Sequence, residues 1–231
     1  MLKINQVLLL ASILLAINSI FSQKLYAQES DANIWSRFAV KYELNSLTKI
    51  AVEEEFRFYD NAARLEQNHT EIGLSRELSK RWNGGVFYRF IYETNSDRDY
   101  SIGHRGWLQL EYQLLDTDVN VYARTRLQTT FKDVKTSVDG KVPDWYNRYK
   151  ISAEYKTKGA QWIPDAGLEF WHHLNPSGNP FVNKLRLSLG LEYRYTKNLR
   201  WQIFYGYQKE LQVSNPDTDH IYGVACTYKI N

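Results

Sequence analysis

The sequence predicts an all-β chain, an antiparallel up-and-down transmembrane β-barrel of 10 to 12 strands. Three features point there: an apolar/ionic alternation of period two from end to end, connections that alternate between short and long, and aromatic residues gathered at segment ends. The alternation is clearest in residues 183–208, where Leu185, Leu187, Leu189, Leu191, Tyr193 and Tyr195 interleave with Lys184, Arg186, Ser188, Gly190, Glu192 and Arg194. At helical spacing Leu185, Ser188, Leu189 and Glu192 would share a face without forming an apolar stripe, whereas a strand sorts the two sets onto opposite faces.

At the N-terminus, Lys3 precedes the uncharged run "VLLLASILLAI", and small residues follow at "FSQ" and "LYAQ". This is the layout of a secretory signal peptide over residues 1–27, with cleavage after Ser22 or Ala27, which leaves residues 28–231 as the barrel. The apolar run is shorter than the roughly 20 residues a membrane helix requires. With a single cysteine the exported chain has no internal disulfide framework, so its stability must come from packing and backbone hydrogen bonds. The mean hydropathy of −0.52 would class the chain as soluble, but alternating lipid-facing and lumen-facing residues average out in such a measure. A net charge of +3 supplies no argument for a nucleic-acid partner.

Eleven segments carry the alternation, at 34–44, 49–59, 68–78, 82–93, 103–115, 119–130, 145–157, 161–172, 182–195, 199–212 and 219–230. Each reaches or exceeds the roughly 9 to 11 residues of a tilted membrane strand, well above the roughly 5 to 6 typical of globular proteins. Short connections fall at 45–47, 79–81, 116–118, 158–160 and 196–198. Longer polar ones, "DNAARLEQ", "TNSDRDYSI", "FKDVKTSVDGKVPD", "HLNPSGNP" and "SNPDTD", fall between them. That is the sidedness of an outer-membrane barrel, with turns periplasmic and loops extracellular. Antiparallel closure calls for an even number of strands, so either residues 28–33 add one or one segment leaves the wall.

The aromatic residues form two belts on the apolar face, as amphipathic rings do at headgroup level. Tyr42, Trp82, Tyr112, Tyr155, Trp162, Tyr193, Tyr195 and Trp201 lie beside the short turns, and Phe58, Tyr92, Trp145, Phe170, Phe181, Tyr207 and Tyr222 lie toward the long loops. The last segment alternates Tyr222, Val224, Cys226, Tyr228 and Ile230, a closing strand without the usual terminal aromatic.

The opposite face supplies the candidate lumen lining: Glu53, Glu55, Arg57, Arg89, Glu111, Arg124, Arg126, Arg148, Glu169, Arg186 and Arg194. The early segments lean acidic and residues 119–157 lean basic, so the two walls would face each other. Two readings stand: a lumen filled by arginine–carboxylate bonding, since interior charges must be paired or hydrated, or a narrow channel whose arginine wall favours anions. The histidines offer no ligand spacing. His172 and His173 point to opposite faces of a strand, while His69, His104 and His220 read as single surface residues in or near loops. No cofactor, metal site or catalytic group is expected, and Cys226 faces lipid. Glu54 and Arg76 break the apolar face, where a charge is costly; they are expected to pair with each other or to mark a homo-oligomer contact, the alternative being a local bulge.

Trp35, the turn "LNSLTKI" leading into "EEEFRF" with Glu55 and Arg57, "LSRELSKRWNGGVFYRFIYE" with Tyr88 and Arg89, and the later "RYKISAEYK" resemble the DUF2490 family of bacterial outer-membrane proteins, common in the Bacteroidetes group. The resemblance covers essentially the whole mature chain and implies an outer-membrane β-barrel with no assigned activity. The sequence reading is therefore a barrel in the outer membrane of a Gram-negative bacterium, in contact with its lipid, acting on small solutes as a narrow porin-like channel or standing as a non-conducting structural barrel. The alternatives are an outer-membrane enzyme acting on lipid or polysaccharide, and a soluble periplasmic β-barrel that turns its greasy face inward around an apolar ligand.

Overall fold

The computed structural model describes residues 30–94, 100–132, 142–176 and 181–230; the expected signal peptide and parts of three long loops fall outside them. The described residues form eleven strands: β1 (Ser30–Glu43), β2 (Thr48–Tyr59), β3 (Arg64–Glu77), β4 (Trp82–Thr94), β5 (Tyr100–Leu115), β6 (Val119–Phe131), β7 (Asp144–Tyr155), β8 (Trp162–His173), β9 (Phe181–Arg194), β10 (Leu199–Glu210) and β11 (Thr218–Ile230). Each pairs with the next, and β1 pairs with β11 to close a barrel.

The odd count is resolved by the closing ladder. β1 and β11 run parallel, from Ser30↔Thr218 to Tyr42↔Ile230, while every other pair is antiparallel. The expected even number is therefore corrected: no twelfth strand and no discarded segment is needed, because parallel pairing satisfies the same backbone groups with slanted bonds. Ser30 and Thr218 lie together at the long-loop end, and Tyr42 and Ile230 at the short-turn end.

Local chemistry explains the short turns. Asn45 Oδ1 accepts from the backbone N–H of Leu47 and Thr48 at 3.0 and 2.9 Å, and Ser79 Oγ accepts from Arg81 and Trp82. Thr117 and Thr196 do the same for the residues that follow them. Side-chain oxygens replacing a backbone acceptor are what make Asn, Ser and Thr turn residues. The remaining short turn uses Gly159 at φ 78°. At the opposite end, "DNAARLEQ" is a tighter connection than its length suggests: Asp60, Asn61 and Ala62 take left-handed φ values of 57°, 52° and 64°, and β3 already begins at Arg64. Asp and Asn tolerate that region; alanine does so at a cost.

The apolar face is outward. Phe38, Val52, Leu108, Ile151, Leu189 and Ile203 are all exposed, whereas inward positions such as Glu55, Arg89, Arg148 and Glu169 are buried. An apolar-ligand barrel with its greasy face inside is thus not the arrangement formed. Outward rings pair across strands near the turns, Trp82 with Tyr112 at 4.6 Å and Trp162 with Tyr193 at 4.4 Å, and near the loops, Tyr92 with Tyr100 at 5.3 Å.

Inside, two phenylalanines lie flat over glycines. A Cβ on Gly223 would collide with the Phe204 ring, and one on Gly73 or Gly85 would meet Phe87, which itself stacks on Trp107 at 5.2 Å. Gly223 belongs to the closing strand, so Phe204 packs the barrel's seam from within. Gly223→Val should lower unfolding free energy by about 1–3 kcal/mol through overpacking. Combined with Phe204→Ala the two losses should fall short of their sum by about 1 kcal/mol, measured by urea unfolding of the micelle-bound protein.

The expected Glu54–Arg76 pair does not form. Asn68 Nδ2 donates to Glu54 Oε1 at 2.6 Å, and Arg76 Nη1 donates to Thr48 Oγ1 at 3.3 Å. Glu54 is in register with Thr70 and Arg76 with Thr48, which sets them well apart along the β2–β3 ladder. Each polar group is met by a neighbouring polar side chain, which answers the desolvation problem locally. Glu54→Leu and Arg76→Leu should accordingly be additive within about 0.5 kcal/mol in a double-mutant cycle.

Candidate functional site

The inward positions of the strands converge on a central cavity of about 440 Å³. Among the described residues ten cations line it, Arg37, Arg57, Arg89, Arg105, Arg124, Arg126, Arg148, Lys150, Lys184 and Arg186, and four carboxylates, Glu53, Glu55, Glu71 and Glu169, accompany them. The chain as a whole carries only +3, so positive charge is concentrated inside. A smaller space of about 140 Å³ adjoins it beside Asp165 and Gln202.

Two carboxylates organise the cations. Glu55, fully buried on β2, accepts from Arg37 Nε at 3.1 Å, from Arg57 Nε at 2.8 Å, and from Arg89 Nη1 at 3.5 Å. Arg89 also bonds Glu71, through Nε at 2.9 Å and Nη2 at 2.5 Å. On the other side Glu169 is held in two-point fashion by Arg148, Nε at 3.1 Å and Nη2 at 2.9 Å, and takes Arg124 Nη2 at 2.5 Å. Such fork-on-carboxylate bonding suits a buried ion pair, because it satisfies both partners' geometry. The acidic and basic walls therefore do not simply face each other across the lumen. Each carboxylate is claimed mainly by strands beside it.

Three tryptophans support guanidiniums, some of them already bound to these carboxylates. Arg57 and Arg186 lie over Trp35 at 3.8 and 4.9 Å. Arg126 lies over Trp107 at 4.6 Å, and Arg148 and Arg186 over Trp171 at 4.3 and 4.9 Å. The strands that carry the rings, β1, β5 and β8, are spread around the wall, so the indoles form a ring of cation–π platforms inside the barrel. Arg186 touches two of them and is further held by Gln208, which donates to Asp219, which in turn accepts from Asn33. That chain of bonds runs from β9 across the parallel seam to β1.

Of the residues expected to line the lumen, Glu53, Glu55, Arg57, Arg89, Arg124, Arg126, Arg148, Glu169 and Arg186 come together in the central cavity. Glu111 and Arg194 lie nearer the turns, Glu111 in a separate space with Glu77, Arg81 and Tyr122, and Arg194 beside Glu192, which also meets Arg200. Sequence reasoning passed over Trp35, Trp107 and Trp171 as lining residues. The signal was present: each lies two positions from an inward charged residue, Arg37, Arg105 or Glu169, and so shares its face.

His69 is a correction. It is not a surface residue but fully buried inside β3, with Nδ1 2.9 Å from Arg89 Nη1 and 3.2 Å from Glu55 Oε1. Nδ1 therefore lies between a guanidinium that only donates and a carboxylate that only accepts, and which of the two it bonds depends on the tautomer. His104 and His220 lie on the outer face and contact tyrosine hydroxyls, Tyr88 at 2.6 Å and Tyr205 at 2.8 Å. His173 stacks on Tyr146. Among the described residues no group of three His, Cys, Asp or Glu is placed to hold a metal ion.

The fold and interior define a closed β-barrel with an apolar outside and an arginine-rich inside. The chain belongs to the family described as protein of unknown function (DUF2490), whose model matches residues 32–219. Comparison with curated proteins finds no match. Among solved structures, the chain is similar to the NanC porin, at 13% identity and a TM-score of 0.46, covering 77% of this chain and 86% of that one. It is also similar to the CymD monoaromatic hydrocarbon channel, at 11% identity and a TM-score of 0.37, covering 74% and 67%. A third is the translocator domain of the autotransporter NalP from Neisseria meningitidis, at 11% identity and a TM-score of 0.36, covering 93% and 92%. At TM-scores below 0.5 these likenesses carry no residue role to this chain.

Glu55→Gln removes the buried anion that Arg37, Arg57 and Arg89 share. It should cost about 3–5 kcal/mol, against less than about 0.5 kcal/mol for Glu111→Gln near the turns, read from urea unfolding monitored by tryptophan fluorescence.

Proposed function

We propose that the chain spans the outer membrane of a Gram-negative bacterium and acts there as a narrow channel that favours anions. The observation that carries this reading is the central cavity, where ten cationic side chains face four carboxylates. Low-dielectric walls lined by one sign of charge focus the field and raise the local concentration of counter-ions. An arginine-lined constriction is the kind of wall that selects anions in pores. The exposed apolar outer face, with rings toward both ends, supports a lipid surround.

A second reading, a non-conducting structural barrel, is favoured by one specific observation. Glu55 and Glu169 each bind several arginines and draw their side chains together, which is how a small barrel fills its interior.

Conductance of the refolded protein in a planar bilayer separates the two. Steps with a reversal potential on the anion side support the channel. Among the described residues Arg126 has no carboxylate partner, so Arg126→Glu should move that potential toward cations without breaking an ion pair. Arg124→Glu disrupts the contact with Glu169 and is the weaker test. A folded, inserted protein that stays electrically silent would replace the channel with the filled barrel.

A further inference from the structure

The excess of cations in the cavity is not spread evenly, and three guanidiniums account for much of it. Among the described residues, Arg105, Arg126 and Arg186 have no carboxylate within ion-pair distance, although each is anchored by a neutral acceptor. Arg105 Nε donates to Thr130 Oγ1 at 3.1 Å, Arg126 Nη2 to Gln109 Oε1 at 2.8 Å, and Arg186 Nε to Gln208 Oε1 at 3.0 Å. A neutral acceptor fixes where the group sits and leaves its charge in place. The indoles immobilise two of them further, Arg126 on Trp107 and Arg186 between Trp35 and Trp171.

The sheet register makes the problem sharper. Arg89 is directly opposite Arg105, and Arg126 directly opposite Arg148. Like charges opposed across strands are destabilising, and these pairs face a cavity and not bulk water. Arg89 and Arg148 are compensated by Glu71 and Glu169; their opposite numbers are not. Independently, Arg126 Nε and the Trp107 indole N–H are buried donors with no partner among the described residues. Unused donors and unmatched charge therefore coincide on one stretch of wall, at β5 and β6, in the cavity that Arg186 also lines.

We infer that Arg105, Arg126 and Arg186 form a binding site for a doubly charged tetrahedral oxyanion, inorganic phosphate or the phosphate group of a small phosphomonoester. Guanidinium forks match pairs of phosphate oxygens, and a tetrahedral anion presents oxygens in several directions at once, as cations on β5, β6 and β9 require. A planar carboxylate offers two oxygens in one plane. Chloride offers no directed acceptor pair and half the charge. A cavity of about 440 Å³ leaves room for a substituent beyond the phosphate.

This site rests on the channel reading for its access, so binding and conduction are measured on one preparation. The purified protein in detergent is titrated calorimetrically with sodium phosphate, glycerol phosphate and sodium chloride at matched ionic strength. Phosphate should bind at least tenfold more tightly than chloride, and Arg105→Gln/Arg126→Gln should weaken it tenfold or more. Glycerol phosphate binding more tightly than phosphate would identify the monoester as occupant; equal affinity would identify the free ion. Chloride matching phosphate in the wild-type protein overturns the site, and that comparison needs no variant to fold. Arg186→Gln, which leaves β5 and β6 untouched, supplies a second variant, and phosphate affinity unchanged in both variants overturns the assignment to these residues. Current without preferential phosphate binding would leave the channel standing and remove the site. Phosphate binding in a silent barrel would do the reverse.

Discussion

An up-and-down sheet of eleven strands brings its two edges together running in the same direction, so this barrel is closed only by the parallel ladder from Ser30↔Thr218 to Tyr42↔Ile230. Without it both edges would expose rows of unpaired backbone groups, which hydrocarbon does not tolerate. The ladder also fixes which residues meet inside. Trp35 on β1 comes within reach of Arg186 on β9 because β10 and β11 lie between them in the closed ring. Asn33 can bond Asp219 only across the same seam. Phe204 over Gly223 packs this boundary from within, so closure has a side-chain component as well as a backbone one.

Closing the ring around so many arginines creates the electrostatic problem that the interior then solves in part. Glu55 and Glu169 each take more than one guanidinium, and the three inward tryptophans provide π-faces for others. Cation–π contact steadies a guanidinium without cancelling its charge, whereas a carboxylate does both. The interior is thus mechanically ordered and electrically unbalanced at the same time. A barrel whose only requirement was a filled interior would be served by neutral or balanced side chains. The unbalanced wall is what links the packing of this interior to the proposed role with anions.

Much of the architecture is legible along the chain because strand alternation has period two and survives any detail of register. The eleven segments correspond to the eleven strands, and the outward and inward sets of 185–195 separate as the alternation requires. Turn residues such as Asn45, Ser79, Thr117 and Thr196 act through contacts two or three positions away, so local sequence contains their whole mechanism. His69 was less accessible. Its position beside a long connection suggested a loop, but the left-handed turn at Asp60 to Ala62 shortens that connection and extends β3 past it. The placement of Glu54 and Arg76 depended on the register of β2 against β3, which no pattern within either strand specifies.

By itself the sequence determined the fold class, the sidedness of the connections and the faces of most inward residues, because these follow from local periodicity and turn chemistry. Tertiary structure alone decided that an odd number of strands closes in parallel, which of the described arginines lining the cavity find carboxylates, and which three do not. Those outcomes depend on ladder register and on side chains meeting from strands distant in the chain. Arg105 and Arg148 look alike in sequence, each an inward arginine on a basic wall, yet only Arg148 comes to rest opposite Trp171 and beside Glu169. What separates them is the company that closure brings.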